Sequence, residues 1–133
     1  MTPAAFEKAA LALPGAALSV QWGDDRVFKV GGKMFAVLSG ASVKPRGASF
    51  KTSDLSFELL TKKRGVVPAP YLARAKWVKL ETLTALPDGE IKARLGEAHR
   101  LVLETLPKKT RAAILGGQSA KSAGKSREIA SKK

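Results

Sequence analysis

The stretch WGDDRVFKVGGKMFAVLSGASVKPRGASFK, Trp22–Lys51, decides the fold. Arg26–Val30 alternates, with Phe28 and Val30 on one side and Val27 and Lys29 on the other, as a half-buried strand requires. Gly31-Gly32 follows at once. Both central positions of a two-residue hairpin turn favour positive φ, so a glycine pair between two apolar runs predicts a tight hairpin. Met34–Leu38 has no polar residue, which predicts a central strand covered by helices on one face and partly shielded on the other. Ser39–Gly47 reads as a long basic turn, and Ala48–Lys51 as the strand that leaves it.

Upstream, Pro3–Leu13 reads as a helix that Thr2 can cap and Pro3 can start. Phe6, Ala9, Ala10 and Leu13 form its apolar stripe, and Pro14-Gly15 ends it. A short strand near Leu18–Trp22 and a turn at Gly23-Asp24-Asp25 lead into the deciding stretch. Downstream, Ser53 or Thr52 caps a helix over Asp54–Lys63, with Leu55, Leu59 and Leu60 expected to face inward and Gly65 to close it. Pro68 and Pro70 make Val66–Arg74 irregular or partly extended, and Lys76–Glu81 is a strand with Val78 and Leu80 on one face.

Pro87 and Asp88 open the longest helix, Gly89–Leu106. Its stripe of Ile91, Leu95, Ala98, Val102 and Leu106 has the helical and not the strand period. Pro107 interrupts it, and residues 108–115 read as another turn or two of helix. Sequential strands favour antiparallel pairing. The expected fold is a two-layer α+β domain, an antiparallel sheet with helices on one face, in the order α-β-β-β-β-α-β-α.

The chain has 133 residues, which suffices for one domain with a real core. That domain is read over 1–115, with 116–133 as a disordered basic tail of Ser, Ala, Gly and Lys. There are no cysteines and one histidine, so disulfides, thiolate chemistry and cysteine-based metal sites are excluded. No cofactor motif or metal set is visible. The N-terminus lacks the pattern of a secretory signal, and no apolar run approaches the ~18–20 residues of a spanning helix. A cytoplasmic protein is expected.

The charge is unusual. The net value is +13 and the pI about 10.4. Five basic residues against Glu128 give 116–133 a charge of +4, leaving +9 on 1–115. Such a field attracts polyanions without naming them.

Several strings in this order resemble the MmcQ/YjbR-like family. They are Leu13-Pro14-Gly15, VFKVGGKMFAVL (27–38), Phe50-Lys51-Thr52, Pro68 with Tyr71-Leu72, Lys76-Trp77-Val78, Leu86-Pro87-Asp88 and LPKK (106–109). They span about residues 3–115. One departure is Ala98-His99, where such proteins usually carry Ser-Tyr or Ser-Phe. The resemblance implies a frataxin- or secretion-chaperone-like α+β fold. It also implies a double-wing mode of DNA binding, with strand-connecting hairpins as the wings.

The candidate nucleic-acid contacts are Lys44, Arg46 and Lys51 around the basic turn, Lys62, Lys63 and Arg64 after the second helix, and Arg74 and Lys76 before the last strand. A basic hairpin can lay cations along a phosphate backbone, which supplies affinity without reading sequence; a solvated turn has the same composition. Lys62-Lys63-Arg64 also suits the negative end of a helix dipole, an effect of roughly 0.3–1 kcal/mol per exposed cation. Trp77 and Lys79 share a strand face, so the ring could stack on a base or pack into the core. His99 falls at the edge of a helical stripe with no nucleophile beside it, Asp24-Asp25 fits turn chemistry, and Gly31-Gly32 lacks the context of a phosphate loop. No catalytic site is read. The leading expectation is a non-catalytic, salt-sensitive DNA binder, with the tail as auxiliary. The alternative is a protein-interaction or chaperone-like module using an open sheet face.

Overall fold

The structure is a computed structural model that describes the backbone of residues 1–123 and the side chains of 1–116. The elements run α1 (Pro3–Leu11), β1 (Ala16–Gln21), β2 (Asp25–Val30), β3 (Lys33–Leu38), β4 (Ala48–Lys51), α2 (Asp54–Leu60), β5 (Val66–Pro68), a 3₁₀ turn (Ala73–Ala75), β6 (Trp77–Leu80), α3 (Asp88–Leu103) and α4 (Lys108–Ala123). All strand pairs are antiparallel, in the order β1-β2-β3-β4-β6-β5. The two-layer α+β class is as the sequence predicts.

Two elements differ from the expected order. Val66–Pro68, the first part of the segment expected to be irregular or partly extended, is a strand that the expected order does not count. It lies at the sheet edge, where proline is tolerated because one side of the strand has no partner to hydrogen-bond. The second is α4, which runs through Gly116-Gly117 to Ala123, past the boundary that composition predicts for a disordered tail. Gln118, Ala120, Lys121 and Ala123 are all compatible with helix, so the missing apolar stripe does not by itself end one. The rest of the expected tail, 124–133, lies outside the described residues.

The register sorts the strand residues into two faces. Leu18, Phe28, Ala36, Phe50, Val78 and Pro68 stand opposite one another across all six strands. Phe28, Ala36, Phe50 and Val78 of this row are fully buried, and they join one core with Phe6, Leu60, Ile91, Leu95 and Ala98. The helices α1, α2 and α3 therefore cover this face. A bulge at Phe28/Lys29 leaves Phe35 without a strand partner and turns it into the same core.

The opposite row is Ser19, Val27, Val37, Ser49, Lys79 and Val67. No helix covers it among the described residues. Gly31 and Gly32 have φ of 58° and 82°, the left-handed values that the β2–β3 hairpin needs.

In α2 the structure corrects the expected inward face. Leu60 is fully buried, but Leu55 and Leu59 are 69% and 51% exposed. The other inward position is Ser56. Its hydroxyl donates to Glu97 Oε2 (3.0 Å) and accepts from Arg94 Nη1 (2.9 Å), docking α2 onto α3 through polar contacts. Ser53, not Thr52, is the cap, with its Oγ accepting from Ser56 N–H at 3.1 Å. Thr52 is buried and donates instead to the Lys76 carbonyl at 2.7 Å.

Candidate nucleic-acid interface

The charged residues are divided between the layers. The strands carry five basic residues, Arg26, Lys29, Lys33, Lys51 and Lys79, against Asp25 alone. Helices α1, α2 and α3 carry six carboxylates against four cations. The strands are thus +4 and helices α1, α2 and α3 together −2, while α4 adds the four cations Lys108, Lys109, Arg111 and Lys121 with no carboxylate. Within the sheet, Arg26 turns to the helix side and pairs with Glu7. Lys79 stands in the helix-free row, and Lys29 and Lys51 lie two residues along their strands from Val27 and Ser49, on the same face.

The eight sequence candidates form two groups at opposite ends of the sheet. Lys44 and Arg46 lie in the β3–β4 loop, and Lys62, Lys63 and Arg64 lead into the start of β5 at the same end. Lys51, Arg74 and Lys76 sit at the other end, where β4 finishes and β6 begins. Lys44, Lys62, Lys63, Arg64 and Arg74 are exposed. None of the eight forms an ion pair among the described residues; the ion pairs there use the N-terminus, Arg26, Arg94 and Arg100.

Three candidates have structural duties as well. Lys51 donates through Nζ to the Ala75 carbonyl. Lys76, at φ 63°, caps the 3₁₀ turn and holds its ammonium 5.0 Å from the centre of the Phe57 ring. Arg46 is half-buried, and its Nε donates to the Ser39 carbonyl at 2.7 Å, closing the loop on itself.

The loop is pinned, not splayed. Gly40 N–H donates to Asp25 Oδ1 (2.9 Å) and Ala41 N–H to Asp24 Oδ2 (3.1 Å), so the paired aspartates tie the β1–β2 turn to it. Ser39 N–H donates to the Gly47 carbonyl at 3.0 Å. A Cβ on Gly47 would stand 2.1 Å from the Leu80 carbonyl oxygen, so this close approach of loop to β6 requires glycine.

Trp77 is 5% exposed, so its ring is packed and does not present a free face for base stacking. His99 is equally buried. Its Nε2 lies 2.6 Å from the Pro14 carbonyl, and its ring meets Phe35 edge-on at 5.4 Å. The imidazole therefore joins α3 to the α1–β1 connection. Among the described residues no three His, Asp or Glu side chains converge as metal ligands, and no helix is long and apolar enough to cross a membrane.

Sequence reasoning left Lys29 and Lys79 out of the candidate contacts. Their signal was the strand alternation itself, which places each opposite a buried neighbour. It also missed the approach of Arg26 and Arg46 to α1, which depends on a tertiary arrangement with no local pattern.

Comparison with solved structures supports the architecture. Deinococcus radiodurans protein DR2400, described as a DUF419 domain, superposes with a TM-score of 0.72 at 21% identity, over 96% of this chain and 92% of that one. A Pseudomonas syringae protein superposes with a TM-score of 0.63 at 22% identity, over 76% of this chain and 98% of that one. At these identities the likeness concerns the fold. Comparison with curated proteins gives no match. The YjbR family model matches residues 11–101, from the end of α1 to near the end of α3. With that match spanning the sheet and its covering helices, the chain belongs to the YjbR family.

Proposed function

We propose that this protein binds nucleic acid, DNA in the first instance, through phosphates and without catalysis. The observation that carries the reading is the charge division between the layers. Lys29, Lys51 and Lys79 stand on the helix-free sheet face, while α1, α2 and α3 on the other side carry six carboxylates. A helix-free face of this kind meets a phosphate backbone without bringing the helix-layer carboxylates against it. Lys44, Lys62, Lys63, Arg64 and Arg74 extend the cationic surface at the two sheet ends. The contacts are to phosphate, so affinity is weak in sequence preference and steep in salt. Cytoplasmic residence accords with that role.

Fluorescence anisotropy on labelled duplex and single-stranded DNA tests the proposal across ~50–300 mM salt, where counterion release changes affinity steeply. Binding with log K falling linearly in log salt supports it. Absence of binding at the lowest salt refutes it.

A second reading, a protein-interaction module, draws on different residues from those the sequence suggested. The large side chains of the helix-free face are covered, with Val27 at 0% and Trp77 at 5% exposure. The exposed apolar pair is Leu55 and Leu59, one turn apart on α2. A partner helix or strand would meet α2, and pull-down with a Leu55→Ser/Leu59→Ser control separates that binding from charge-driven association.

A further inference from the structure

A cavity of about 350 Å³ opens on the helix side of the sheet, between α1 and the strands β2 and β3. Leu11 and Leu38 form apolar walls, and Glu7, Lys8, Arg26 and Arg46 supply its charged groups. Three cations against one carboxylate leave a net +2 around the opening. Arg26 and Leu38 are direct partners across β2 and β3, so the guanidinium and the apolar wall share the face that α1 covers.

The two arginines are anchored in the same way. Arg26 donates through Nε to Glu7, and Arg46 donates through Nε to the Ser39 carbonyl. Their terminal amino groups make no hydrogen bond among the described residues. Each guanidinium is therefore held in orientation while its two-pronged end remains unused, the geometry that suits a planar carboxylate or a phosphate oxygen pair. Glu7 neutralises one of the two; nothing in the cavity neutralises Arg46.

We propose that this cavity is a binding site for a small organic anion, a phosphate monoester or carboxylate on a short apolar stem. The headgroup lies between the amino groups of Arg26 and Arg46, and the stem packs on Leu11 and Leu38. Few convergent polar groups over apolar walls is the usual make-up of a ligand pocket. The site lies on the opposite face of the sheet from Lys29, Lys51 and Lys79 and does not depend on nucleic-acid binding. It assigns Arg46 to the cavity and not to the DNA-contacting surface.

Titration of the ¹⁵N-labelled full chain with phenyl phosphate, benzoate and the neutral analogue benzyl alcohol tests the assignment. The expected result is saturable amide shifts confined to Glu7–Leu11, Arg26, Leu38–Ser39 and Arg46 for one or both anions, and none for the alcohol. Phosphate and carboxylate preference is read from the two anion arms. Arg46→Gln should weaken binding about tenfold, which corresponds to ~1.4 kcal/mol, whereas Lys109→Gln, at an exposed position on α4, should leave it unchanged. If loss of the Ser39 bond unfolds the loop in Arg46→Gln, Lys8→Gln, at an exposed position on α1, should still weaken binding about threefold. Failure to saturate by ~10 mM ligand, weaker than any affinity expected of a built site, overturns the proposal. Shifts centred on Lys29, Lys51 and Lys79, or equal losses in Arg46→Gln and Lys109→Gln, overturn it too. Failure of DNA binding leaves it standing.

Discussion

His99 shows how one buried polar residue is accommodated. Its contacts to the Pro14 carbonyl and the Phe35 ring hold the turn after α1 against α3. In His99→Ala the Pro14 carbonyl loses its partner and a buried volume is emptied. The expected loss is about 2–4 kcal/mol, combining an unsatisfied acceptor with a cavity, read as a lower urea midpoint at unchanged slope. The sequence placed His99 on the flank of a helical stripe, which periodicity can do. Its partner, 85 residues away, leaves no local trace. Gly47 is a second case. Gly47→Ala drives a Cβ into the Leu80 carbonyl and should cost about 2–3 kcal/mol, with amide shifts spreading from the loop into β6. Composition marks Gly47 as a turn residue; only the fold shows that β6 passes behind it. Arg26 illustrates the limit for charge. The hydrogen bond that Arg26 donates to Glu7 raises its pKa further above the ordinary arginine value, with partial burial opposing and Coulomb attraction adding. A group with a raised folded-state pKa stabilises below its unfolded pKa and loses that contribution only as pH climbs through the folded one. The Arg26 cation in this pair therefore stays charged throughout the neutral and mildly basic range.

At the scale of elements, strands with strong alternation were legible and short ones with mixed signals were not. Arg26–Val30, Gly31-Gly32 and Met34–Leu38 form the hairpin that their pattern predicts. Val66–Pro68 was obscured by Pro68 and Pro70, whose presence excludes a central strand but not an edge one. Helix α2 was misread in its facing, for a physical reason. A seven-residue helix can bury one narrow stripe, and Arg94 and Glu97 on α3 supply polar partners that favour Ser56 beside Leu60. The leucine pattern alone pointed a different way. Two substitutions separate these faces by chemical denaturation. Leu60→Ala should cost about 2–5 kcal/mol as a fully buried truncation. The double change Leu55→Ser/Leu59→Ser should stay within about 0.5 kcal/mol, the range of ordinary surface substitutions. A large loss in the double variant would mean that α2 is turned the other way.

Across the molecule the strands are net cationic and α1, α2 and α3 net acidic, a division that a net value of +13 does not reveal. The candidate cations chosen from sequence clusters fall at the two ends of the sheet. Lys29 on β2 and Lys79 on β6 share the helix-free face only through strand register, with β3 and β4 between them. Charge clustering along the chain found the rim of the surface, and the three-dimensional register supplied its middle. The central claim is that phosphate binding occurs on this helix-free face. It is tested most directly by measuring the salt dependence of DNA affinity for the wild type and for Lys29→Ala/Lys51→Ala/Lys79→Ala. Each lost phosphate contact should flatten the log–log slope by about one. The account predicts weaker binding with a slope reduced by as much as about three in the triple variant, its fold intact by circular dichroism. Wild-type affinity and slope in a folded triple variant would contradict it.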